Sequence, residues 1–160
     1  MQRLLEVLDR VVTWLVMVAM ALMVAVVSAQ VVLRYAFNSS LDWADDIGRL
    51  LFVASVFLAV PLAVREGSHI AIGLLTERLS ARLRDLCARV MALLSAGMML
   101  IITWHAVNVS VEQWSELMPT VNLTVASFML PVIVGAGLSA LHLIRIVAVG
   151  PPRASALAAE

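Results

Sequence analysis

The chain contains no lysine: all eleven of its basic residues are arginine. Arginine holds its charge under desolvation and forks onto carboxylates, which suits polar contacts inside or beside a membrane, although a GC-rich coding bias accounts for the same fact. There is a single cysteine, Cys87, so an internal disulfide and a metal site resting on thiolates are both excluded. Charge is scarce too, at 14% of residues, and eleven acidic against eleven basic side chains leave a formal net charge of +0. No global field recruits nucleic acid, which is not an expected partner, and any electrostatics that matter must be local. The sequence carries no Gly-rich phosphate loop, nucleophile motif or metal-ligand cluster, so neither an enzyme nor a bound cofactor is expected.

What the chain has in abundance is apolar surface. Hydrophobic residues make up 62% and the mean hydropathy is +1.00, far from a soluble globular domain and typical of an integral membrane protein. A length of 160 residues predicts one four-helix membrane domain over 1–150, with residues 151–160, after Gly150-Pro151-Pro152, as a disordered tail. Spans are predicted at about 11–33, 43–64, 90–111 and 121–149. The first carries no charge and reaches about 34 Å at 1.5 Å per residue. Arg3 and Arg10 before it raise the alternative of a signal peptide cut after Ala29, but the apolar run continues through Val31, Val32 and Leu33, which favours a retained anchor. The second has only the stretch 50–64 free of charge, and must borrow length from 43–49.

Arginine placement predicts orientation. Arg3, Arg10, Arg65, Arg78, Arg82, Arg84, Arg89, Arg145 and Arg153 fall on one side of a four-span topology, and only Arg34 and Arg49 on the other. Because cytoplasmic loops are enriched in positive charge, both termini are expected inside. Trp14, Trp43, Trp114 and Tyr35 lie close to span ends, where amphipathic rings settle at the headgroup level.

The polar stretch between spans one and two is a well-formed helix start. Asn38-Ser39-Ser40 is turn chemistry, and Ser39 with Asp42 three residues on resembles a capping box, so helix two is expected to begin near Ser40. Asp42, Asp45 and Asp46 then occupy its first two turns, where the helix dipole favours them, and Asp45 with Arg49 makes an acid-first i, i+4 pair. These groups stand at the outer membrane boundary, where they serve either as a capped entry through the headgroup zone or as a surface covered by a partner protein. The segment 65–89 repeats the theme on the other side. Leu75, Leu79, Leu83 and Leu86 form one helical stripe while Arg78, Arg82, Asp85 and Arg89 form another, which predicts an amphipathic cytoplasmic helix from Thr76 onward, lying at the surface or continuing span three past the bilayer. Membrane lipid headgroups and a partner's acidic loop explain its arginines equally well.

Polar groups at membrane depth are few. Ser55, Ser95, Thr103, Ser127 and Ser139 are small hydroxyls of the kind that hold helices together, and Gly97, Gly135, Pro61 and Pro131 fit the same packing account. His105 and His142 could be imagined as haem ligands, but the predicted topology puts them at unequal depth, about 22 Å and 10 Å above the inner ends of their helices.

The stretch "VVLRYAFNSSLDWADDIGRLLFV" resembles the segment joining the first two helices in the small membrane subunit (DctQ-type) of tripartite ATP-independent periplasmic, or TRAP, transporters, through Arg34, Tyr35, Asn38, Ser40, Leu41, Trp43, Asp45, Asp46 and Arg49. The next stretch, "AVREGSHIAIGLLTERL", is similar to that family's following motif through Arg65, Glu66, Gly67, His69 and Ile70. The family's acidic pair is usually Glu, and the shorter Asp45 and Asp46 alter its reach. The resemblance implies a scaffold subunit of the bacterial inner membrane. It would partner a large multi-spanning subunit and a periplasmic substrate-binding protein in ion-gradient-driven, usually sodium-driven, uptake of organic acids. It further implies that Asp45, Asp46 and their neighbours fix helix two against the large subunit. A four-span homodimeric exporter is the alternative, but it should place an acidic residue deep in span one.

Overall fold

Helix α1 runs over Gln2–Phe37, α2 over Asp42–Arg65, α3 over Ala81–Glu112 and α4 over Met129–Val149, with a 3-10 turn at Val125–Phe128 leading into α4. The computed structural model that gives these bounds describes residues 2–39, 41–65 and 81–149. Among the described residues, four stretches are long and apolar enough to cross a membrane: Val7–Phe37, Asp42–Val64, Asp85–Glu112 and Val125–Ala148. The protein is therefore an all-α, four-span integral membrane protein. Residues 66–80, including the first part of the expected amphipathic helix, and the tail from 150 lie outside the described residues; the remainder of that helix, from Ala81, is continuous with α3.

α1 is longer than its apolar run. Its 36 residues reach about 54 Å, well beyond a hydrocarbon core of about 30 Å, and Arg34 falls in the last turn, where the negative end of the helix dipole favours a cation. Asn38 ends the helix in the left-handed region at φ 49, and the Ser39 N–H donates back to the Leu33 carbonyl at 3.2 Å. Asparagine is among the few non-glycine residues that tolerate this conformation. Asn38→Gly should leave the melting temperature close to wild type, whereas Asn38→Val should cost about 1–2 kcal/mol, measured by thermal unfolding in detergent. Ser39 thus closes α1 instead of opening α2. Helix α2 starts at Asp42, two residues later than expected, with the Ala44 N–H on the Leu41 carbonyl at 3.0 Å.

The helices pack in the order α1, α2, α4, α3. The two in the middle are the more enclosed, with 28% and 33% of their spanning windows buried against 11% for each of α1 and α3. Near one end, Val64 of α2, Ala92 and Ala96 of α3 and Leu143 of α4 converge as the core. Small residues dominate the buried set, among them Ala44, Ala106, Ala136, Ser139 and Ala140. Helices in lipid approach through such residues, since the solvent is as apolar as the interface and close packing must supply the attraction.

The seam between α2 and α4 is the closest approach. A Cβ placed on Gly135 would run into the backbone carbonyl of Phe57. Phe57 lies four residues before Pro61, whose ring nitrogen has no N–H to give to that carbonyl. The Gly135 C–H bond that a side chain would replace therefore points at the one α2 carbonyl that Pro61 deprives of its helical donor, an arrangement suited to a weak C–H···O contact. The Ser139 hydroxyl donates to the Gly135 carbonyl at 2.7 Å on the same buried line. Gly97 does not share in this packing: no heavy atom lies within 4 Å of where its Cβ would stand.

The connection from α3 to α4 is itself folded. Leu117 and Thr124 form an isolated antiparallel bridge, the Met118 N–H donates to the Leu123 carbonyl at 2.8 Å, and Met118 is buried. Because residues 117–124 pair with one another, α4 begins at Met129 and not near residue 121. Pro131 then sits in its first turn, where the missing N–H is not needed.

Candidate functional site

Polar side chains gather at the two ends of the helix layer. At the first end, α1 terminates, α2 starts and the α3–α4 connection folds over. The Gln30 amide of α1 donates to Asp45 Oδ1 at 3.1 Å, and the Thr120 hydroxyl of the connection donates to Asp46 Oδ2 at 2.6 Å. Successive residues on a helix point about 100° apart, so adjacent carboxylates can address two different neighbours. The acidic pair thereby joins three segments that are distant in sequence. Asp45 is drawn to Gln30, and no ion pair joins it to Arg49, contrary to the i, i+4 expectation.

The rest of the motif faces outward. Arg34, Asn38, Trp43 and Arg49 are exposed, and Tyr35 is 83% exposed. Trp114 and Leu117 of the connection are exposed as well. The motif is thus divided between an inner pair, Asp45 and Asp46, and an outer set of cations and aromatic rings. The amphipathic rings are suited either to headgroups or to a protein surface. On the other side, Arg89 is exposed on α3, whereas Glu66, His69, Arg78 and the side chains of Arg65 and Arg82 lie outside the described residues.

At the second end, α1 and α4 meet in a contact that sequence reasoning missed. His142 Nε2 lies 3.0 Å from Asp9 Oδ1, with both side chains 5% exposed. The Thr13 hydroxyl donates to the Asp9 carbonyl at 2.8 Å, one turn along. His142 lies one turn beyond Ser139, continuing the Gly135–Ser139 line. Asp9 was available as a signal, since 9, 12, 16, 19 and 23 share one face of α1, and the buried Val12 and Ala19 mark that face as packed. His105 is exposed on α3 and far from serving as a second ligand alongside a His142 already engaged by Asp9. Among the described residues no group of three or more His, Cys, Asp and Glu could hold a metal.

Chemically, both centres do the same thing. They place hydrogen-bonded polar pairs between segments of different helices, which fixes register in a layer whose apolar contacts are weakly directional.

The family model described as tripartite ATP-independent periplasmic transporters, DctQ component, matches residues 23–150. Curated relatives include two Haemophilus influenzae proteins named as putative TRAP transporter small permease proteins. One is 40% identical over 60 residues, covering 38% of this chain and 37% of the relative; the other is 21% identical over 129 residues, covering 81% and 78%. A further relative from that species is a sialic acid TRAP transporter permease protein. It is 36% identical over 56 residues, which are 35% of this chain and 9% of that larger protein.

Proposed function

Because this chain belongs to the DctQ component family of tripartite ATP-independent periplasmic transporters, a family of multi-pass inner-membrane proteins, we propose that it is the small scaffold subunit that steadies a large permease during uptake. The observation that carries this reading is the family match across residues 23–150, over a four-span chain in which Asp46 with Thr120 and Asp9 with His142 join its own segments. The transported solute is an organic acid delivered by a periplasmic binding protein, and an ion gradient drives it. Both termini lie in the cytoplasm, a reading supported by the arginine distribution. The first end, with Asp45, Asp46 and the exposed Arg34, Tyr35, Trp43 and Arg49, then faces the periplasm. Further support comes from the sialic acid permease protein, in which a stretch similar to this chain is continuous with a much longer polypeptide.

A tag at the C-terminus, followed by solubilisation of native membranes in mild detergent and identification of co-purifying chains, tests the proposal. A large multi-spanning permease at near-equal stoichiometry is the expected result; recovery of this chain alone as a homodimer would overturn it. The acidic pair gives a second test. Asp45→Asn with Asp46→Asn should weaken the links to Gln30 and Thr120 by about 1–3 kcal/mol in total, loosening the end that meets partners. Co-purified permease and uptake should both fall. Unchanged values for both would remove the acidic pair from the interface.

A further inference from the structure

α3 lies at one edge of the layer, and α4 covers it along the line of Ala92, Ala96, Ala106 and Ser110, all buried. The opposite line holds Leu94, Gly97, Ile101, Trp104, His105 and Asn108, all exposed and spaced at three and four residues. The other outer helix, α1, also presents an outward line, through Trp14, Met17, Val24 and Val31. Two features distinguish α3 from it.

The first is polarity. His105 and Asn108 stand inside the span Asp85–Glu112 and make no hydrogen bond to another described residue. An imidazole and a carboxamide turned toward hydrocarbon are costly unless something outside the chain bonds to them. The outward face of α1 offers only the hydroxyls of Thr13 and Ser28; Thr13 donates to the Asp9 carbonyl of its own helix, and Ser28 can turn to its helix backbone in the same way. The second is shape. Open space where the Gly97 side chain would stand makes a notch between Leu94 and Ile101, into which a second helix backbone can settle. Lipid chains would fill the notch but leave the two polar groups without partners, whereas a protein helix can satisfy both.

Resting on the scaffold-subunit reading, we infer that the outward face of α3, from Leu94 to Asn108, takes a spanning helix of the large permease subunit. That helix packs its backbone over Gly97 and brings a hydrogen-bonding side chain to the depth of His105. α1's outward face is left to lipid.

The test uses the whole system in native membranes, with the photo-crosslinker p-benzoylphenylalanine introduced at Ile101 and, for comparison, at Val24. An adduct between this chain and the permease from Ile101 is expected. In a separate variant, Gly97→Leu should reduce co-purified permease by about tenfold, because the new side chain fills the notch. The same variant should not lower the melting temperature of the isolated subunit, since a Cβ there meets no described heavy atom within 4 Å and leucine is the better helix former. Co-purification at the wild-type level for Gly97→Leu, or adducts with lipid alone at Ile101 while the tagged chain still brings down the permease, would overturn the inference and spare the scaffold reading. Failure of the unmodified chain to bring down any permease would overturn both.

Discussion

Gly135→Leu should yield a chain that reaches the membrane but no longer holds α2 against α4. The clash is with the Phe57 backbone, which cannot rotate away as a side chain would, so the two helices must separate along their length. Separation also exposes Ser139 and the core residues Val60, Val64 and Leu143, which depend on α2 and α4 lying together. Overpacking of a close interface costs about 1–3 kcal/mol when neighbours can adjust, and a backbone obstacle belongs at or above the top of that range. The expected result is loss of the cooperative thermal transition of the purified subunit and loss of co-purified permease. Gly135→Ala should already be measurably destabilised. A melting curve for Gly135→Leu that superimposes on wild type would show that the seam is not closed as described.

The second large effect concerns Asp9 and His142. Removing one member of a buried hydrogen-bonded pair costs about 1–3 kcal/mol, whereas replacing both by apolar residues of similar shape is closer to neutral. His142→Leu should therefore be clearly destabilised, because it removes the buried hydrogen bond to Asp9 Oδ1, and Asp9→Asn less so, because an amide can still meet the imidazole. The double variant Asp9→Leu with His142→Leu should lose less than the losses of Asp9→Leu and His142→Leu added together. Thermal unfolding of the single and double variants in one detergent supplies the cycle. Additive losses, with no recovery in the double variant, would mean that the two side chains are not energetically coupled.

The features legible in the sequence were those carried by local pattern. The four spans follow from apolar run lengths, and the motif from Arg34 to Arg49 carries the family resemblance that the family match bears out. What escaped was tertiary. Asp9 and His142 are 133 residues apart, and Thr120 and Asp46 are 74 apart, so nothing in either neighbourhood announces the other. The Asp45–Arg49 pair was a sound local expectation, but a neighbouring helix offered Asp45 the Gln30 amide instead. The start of α4 was misplaced because apolar residues such as Val121 and Leu123 read as helix, while their backbone groups are taken up in the connection between Glu116 and Val125. Gly97 and Gly135 look alike in sequence, and only the surroundings separate an exposed notch from a sealed seam.

The order α1, α2, α4, α3 also has a bearing on how the chain comes to be assembled. Its two outer contacts, α1 with α2 and α3 with α4, join helices that are consecutive in sequence, so each can form as a hairpin as soon as its second helix has left the ribosome. The contact between α2 and α4 must wait until α4 has been made. The glycine that admits Phe57, the hydroxyl that donates to Asp46 and the imidazole that meets Asp9 all belong to residues 120–142, so three of the links between the two halves are supplied by the half made later. The first hairpin therefore waits in the bilayer with Asp9, Asp46 and the Phe57 carbonyl lacking these contacts, and the arrival of the second brings all three at once.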